Sequence, residues 1–158
     1  MKLKPRRTLC IATIVFLANP AIAADSTPPS AAPDKLGQAS GLIAEKKWAA
    51  AIDELKRVNE TGSADWNNLM GYSLRKAATP DLNAAERYYN EALRIDPKHR
   101  GALEYSGELY LMKGDLAKAE QRLAALDKAC FMPCEEFTDL KKAVQAFKAN
   151  GNKFVAPK

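Results

Sequence analysis

Trp48, Leu82 and Leu116 are spaced 34 residues apart, and three further columns keep the same interval: Ala51, Ala85, Ala119; Leu55, Tyr89, Leu123; and Val58, Ala92, Leu126. Within one set, such as Leu116, Ala119, Leu123 and Leu126, the spacing is 3, 4 and 3, which places all four on one face of an α-helix. A chain with such a period repeats one supersecondary unit, and each unit can bury its apolar face only against its neighbours. That requirement restricts the fold more than composition does: the units must stack in sequence order into an array. The alanine column adds a second restriction, because side chains at a helix contact set how closely the axes approach.

From about Leu36 to Ala149 apolar residues recur at three- and four-residue spacing, with no sustained β-like alternation. Pro97, Pro133 and Gly114-Asp115 punctuate the pattern, which predicts an all-α domain with short connections. Gly107 falls between Leu103 and Tyr110, inside a predicted helix, where glycine costs roughly 1 kcal/mol relative to alanine. Gly71 is its counterpart one unit earlier. Removing Cβ where the first helix of a unit crosses its partner restores packing contacts that offset this cost.

The third unit carries Leu103, Gly107, Tyr110, Gly114-Asp115, Leu116 and Ala119, and the second carries Met70-Gly71, Leu74, Ala85, Tyr89, Ala92 and Pro97. These residues resemble the tetratricopeptide repeat family, whose unit is a helix–turn–helix of about 34 residues. The first unit is degenerate in its opening helix, with Ala39 at the glycine position, and recovers at Trp48, Ala51, Leu55 and Val58. The resemblance implies an α-solenoid of about three repeats over residues 36–149. The step from Gly71 to Gly107 is 36 residues, so about two extra residues are expected near Lys76–Asp81. Asn67 stands where a large apolar residue is usual, and Phe131 replaces the closing proline of the third repeat. A final helix over 134–149 places Phe137, Leu140, Val144 and Phe147 on one face and Glu136, Lys141, Lys142, Gln145 and Lys148 on the other. This is the pattern of a capping helix, ended by Asn150-Gly151.

The two ends read differently. Residues 1–23 have a basic start (Lys2, Lys4, Arg6, Arg7), an apolar run from Leu9 to Ala18 and Ala21-Ile22-Ala23, the pattern of a cleavable signal peptide. The run is about half the roughly 20 residues needed to span a membrane. Arg6-Arg7 is a loose match to a twin-arginine signal, and general secretion fits better. Export predicts a periplasmic or secreted location, with no integral membrane segment after cleavage. Residues 24–35 read as a flexible linker and residues 150–158 as a flexible tail. The whole chain carries 24 Lys+Arg and 19 Asp+Glu, for +5; without the four basic residues of the leader the balance is 20 against 19, or +1. A nucleic-acid partner then lacks an electrostatic basis.

Cys130 and Cys134 remain after the leader removes Cys10. Three readings stay open: a disulfide, with Pro133 turning the chain; a thiol–disulfide participant, with Cys134 in a first helical turn but beside Glu135 and Glu136; and two unpaired apolar residues. His99, the only histidine, reads as a solvated loop residue. No metal, cofactor or catalytic set is evident, so the chain is expected to be no enzyme and to act as a protein–protein interaction scaffold. By resemblance, its partner, a peptide or protein segment, lies in the groove lined by the first helix of each repeat. Asn68, Tyr72 and Arg75 of the second repeat and Glu104, Glu108 and Met112 of the third are expected to face that groove. The first repeat offers Leu36, Ser40 and Ile43 there, which is not the family's peptide-carboxylate clamp. Changing Arg75 and Glu108 together is expected to abolish capture without unfolding the domain. Three repeats are near the minimum for stability, which also allows a homo-oligomer.

Overall fold

The computed structural model describes residues 34–132 and 134–154; the expected signal peptide, the linker up to residue 33, Pro133 and residues 155–158 lie outside the described residues. Among the described residues all regular structure is helical: α1 (Gly37–Ala44), α2 (Trp48–Val58), α3 (Ala64–Lys76), α4 (Leu82–Ile95), α5 (Arg100–Met112), α6 (Leu116–Ala129) and α7 (Glu135–Ala149). The second helices α2, α4 and α6 begin at Trp48, Leu82 and Leu116, so the sequence period is the period of the fold. Residues 77–81 join α3 to α4, whereas 113–115 join α5 to α6. The two extra residues of the second repeat therefore sit in its internal turn, as expected.

Helix starts repeat as well. Ser63, Asp81, His99 and Asp115 each stand one residue before a helix and accept a hydrogen bond from the N–H of Trp66, Ala84, Ala102 and Lys118. Such a contact satisfies one of the four N–H groups that a helix start leaves without a partner. His99 is thus a cap and not a solvated loop residue. Its Nδ1 accepts from the Ala102 N–H at 3.1 Å, and its Nε2 donates to Asp65 Oδ1 at 3.0 Å. The turn at Asp96, whose Oδ1 accepts from the Lys98 N–H, delivers it to that place.

Each helix packs on the next in sequence, and the first helices also pack side by side, α1 on α3, α3 on α5 and α5 on α7. Ala51, Ala85 and Ala119 are completely buried, as the alanine column requires. Trp66 ties the first repeat to the second: its Nε1 donates to the buried Leu55 carbonyl at 2.7 Å. Leu140, Val144 and Phe147 of α7 are buried in the main core cluster with Tyr89, Leu103 and Leu109, so α7 closes the stack.

The interior glycines mark two different crossings. A Cβ on Gly71 would lie 2.8 Å from Tyr89 Cε1 and 3.1 Å from the Ala85 carbonyl oxygen, both on α4, its partner within the repeat. A Cβ on Gly107 would lie 2.5 and 2.7 Å from the methyls of Leu140. Gly107 therefore serves the crossing with α7 and not the crossing with α6 that its repeat position implied. The row of first helices is what brings Leu140 there. Gly71→Ala is expected to destabilise by about 1–2 kcal/mol, because overpacking against a buried ring and a carbonyl outweighs the propensity gain. Gly41 lies in α1 with nothing within 4 Å of its Cβ position. Gly41→Ala should stabilise by up to about 1 kcal/mol, and urea denaturation of both variants checks the opposite signs.

Candidate functional site

The row α3–α5 carries an open cavity of about 570 Å³. Five of the six residues expected at the groove border it: Tyr72 and Arg75 from α3, and Glu104, Glu108 and Met112 from α5. They come together because residues three and four apart share one helix face, and the two helices lie side by side. Asn68 belongs to the same stripe but is buried one turn earlier, with its Nδ2 3.1 Å from the Cβ position of Gly101. It does not border the cavity. The glycine opens a gap in α5 at that level, and the Asn68 side chain fills it.

Arg75 also departs from expectation. It forms the floor and is only 4% exposed. Its Nη1 lies 2.7 Å from Glu108 Oε2, and its Nε donates to the Tyr89 hydroxyl at 3.3 Å. Its guanidinium lies 5.4 Å from the Tyr72 ring centre and 5.6 Å from that of Tyr105. A guanidinium is planar and weakly hydrated, which suits it to such a sandwich between aromatic rings and a carboxylate. Arg75 and Glu108 thus hold α3, α4 and α5 together, and changing them does not leave the domain untouched.

Aromatic contacts continue across the repeats. Trp48 meets Tyr72 edge-on at 5.8 Å between ring centres, Tyr72 meets Tyr105 at 4.6 Å, and Tyr105 meets Tyr89 at 6.5 Å. Tyr105 was not anticipated as a groove residue. It lies three residues before Glu108 on the same face, so the helical spacing contained the signal. Lys46 and Phe154 also reach the cavity, from the turn after α1 and the segment after α7.

Glu104 is the distinctive charge in this site. Among the described residues no Lys, Arg or His nitrogen comes within 4.0 Å of its carboxylate oxygens. Burial pushes its pKa up to about 8, reinforced by the charges of Glu108, Asp139 and Glu136 and only partly offset by Arg75. Burial also raises Tyr105, to about 12. Glu104 is therefore largely protonated at neutral pH, able to donate a hydrogen bond and to ionise when a cation arrives.

The chain joins Cys130 to Cys134 across the turn between α6 and α7, with the Cα atoms 5.9 Å apart. Phe131, within that turn, is fully exposed.

Residues 78–129 match the sequence model of the tetratricopeptide repeat family. The fold is similar to that of the type III secretion translocator chaperone SycD of Yersinia enterocolitica, with a TM-score of 0.64 at 19% identity over 74% of this chain and 83% of that one. A second structure of SycD, in complex with a peptide of the translocator YopD, superposes with a TM-score of 0.60 at 19% identity, covering 74% and 92% of the two chains. No curated protein matches the sequence.

Two measurements follow from the groove floor. Arg75→Met is expected to cost about 3–5 kcal/mol by leaving Glu108 half-buried and unpaired, and Arg75→Met with Glu108→Leu should cost less than the single change. Chemical denaturation of both variants checks this order. Glu104 has a folded pKa near 8 against 4.5 for the free group, so the folded chain holds a proton there that the unfolded chain has lost. Stability should fall as pH rises through that window and level off above it. Glu104→Gln should remove this slope, with its largest stabilising effect above pH 8, read from melting temperatures across the window.

Proposed function

We propose that this chain is a non-enzymatic adaptor that holds an extended segment of a protein partner in the α3–α5 groove. The observation that carries the reading is the convergence of Tyr72, Tyr105, Glu104 and Met112 on one open cavity along the row of first helices. Aromatic faces and a thioether supply apolar contact of adaptable shape, and Glu104 supplies a polar contact that strengthens on burial. Support also comes from the peptide complex of SycD, a similarly folded chaperone. Solenoids commonly use their extended inner surfaces for such contacts. The leader pattern in residues 1–23 supports a location outside the cytoplasm, in the periplasm or beyond. There an oxidised Cys130–Cys134 pair would persist and pin α7 to the third repeat.

A photo-crosslinking residue at position 72, compared in living cells with one at the exposed position 121 of α6, tests the groove. One dominant partner protein captured from position 72 and absent from position 121 is the expected result. The same products from both positions would remove the groove assignment.

The cysteines favour a second reading, a thiol–disulfide participant. Cys130→Ser with Cys134→Ser separates the two. As a staple, the pair contributes about 2 kcal/mol for so short a loop, and capture from position 72 should persist when it is removed. Loss of capture with the melting temperature unchanged would favour the thiol reading.

A further inference from the structure

The groove is not empty in this chain. After α7 the backbone turns back on itself, with Gly151 at φ 65° and Asn152 at φ 60°, both in the left-handed region. The Gly151 N–H donates to the Lys148 carbonyl at 3.3 Å and the Asn152 N–H to the Phe147 carbonyl at 2.9 Å, which together close the helix end. The Asn150 Nδ2 donates to the Lys153 carbonyl at 3.3 Å and holds the reversed segment. This geometry carries Phe154 to the cavity bordered by Tyr72, Arg75, Tyr105 and Met112, where it packs on the main core cluster. Residues 150–158 were expected to be a flexible tail, yet Phe154 is half-buried. Phe131, also in a connecting segment, is fully exposed, so burial of Phe154 is not the default for an aromatic residue outside the helices.

The composition of the segment points the same way. In "NGNKFVAPK" the one aromatic residue is the one that reaches the groove. Lys153 beside it is exposed, so the segment presents an apolar anchor with a cation as its neighbour. The groove offers matching features: tyrosine rings around the anchor, and Glu104 without a cation partner among the described residues.

Resting on the peptide-binding reading above, we propose that Phe154 is a built-in occupant of the groove. It holds the place of an aromatic anchor in the partner segment, so a partner of that kind binds by displacing it. Self-occupancy lowers apparent affinity by the fraction of chains in which the groove is open. The segment then sets a threshold: a partner with an aromatic anchor competes, and one without it does not.

The test uses a fluorescent peptide of residues 150–158, added to the full chain and to the full chain carrying Phe154→Ala. The expected result is binding to the Phe154→Ala chain at least about tenfold tighter than to the unaltered chain. A peptide with alanine at its phenylalanine position should bind neither. Equal affinity for the two chains, or no binding to either at millimolar peptide, overturns the proposal. A benzophenone side chain placed at position 154 of the full chain supplies an independent check. Crosslinks within one chain to α3 and α5 are expected; crosslinks between copies, or to other elements, overturn it. Failure here with capture at position 72 retained would reject self-occupancy alone. Success here with no capture at position 72 would reject the cellular adaptor reading alone.

Discussion

The architecture depends on how closely neighbouring helices approach at positions with little or no side chain. Ala51, Ala85 and Ala119 are fully buried, and Gly71 and Gly107 leave no room for even a methyl group. Interaxial distance follows from the side chains at the crossing. Small residues therefore set where each helix sits, and the larger side chains pack into the geometry they leave. Leu140 shows the consequence: its methyls occupy the space of the missing Cβ on Gly107, which seats α7 against α5 and closes the end of the array.

The groove inherits its rigidity from that arrangement. Because α3 sits hard against α4 at Gly71, the Tyr89 ring is pressed beneath α3, where its hydroxyl meets Arg75. Arg75 is then committed to Glu108 and to two tyrosine rings, and its charge belongs to the framework. The burial that makes the floor firm also raises the pKa of Glu104, the acid that neither α3 nor α7 supplies with a cation. A firm aromatic floor with one adaptable acid suits the reception of a segment from outside. In this chain the segment after α7 already reaches it.

Much of this was legible before any coordinates. The period read from Trp48, Leu82 and Leu116 located the starts of three helices, and the extra residues near Lys76–Asp81 were found in the turn between α3 and α4. Helical spacing and the resemblance also pointed to one face, and five of the six residues named on it border a single cavity. The misreadings share a cause. Asn68, Arg75 and His99 are polar residues expected to meet solvent or a partner, but Asn68 is buried in the gap at Gly101, and Arg75 and His99 are paired with the distant Glu108 and Asp65 carboxylates. A sequence pattern says which face of a helix a residue occupies. It does not say what lies opposite that face.

That division separates the two sources of information. The sequence by itself determined the helices, their period, the small-residue crossings and the stripe of side chains on each first helix, because all of these follow from spacing along one chain. Only the tertiary structure decided that Arg75 is framework, that Gly107 makes room for Leu140, that Glu104 has no cation beside it among the described residues and that Phe154 returns to the groove. Those outcomes depend on contacts between residues of different helices and turns. Burial, charge pairing and the direction of a turn arise only when the elements are brought together, and no local pattern encodes them.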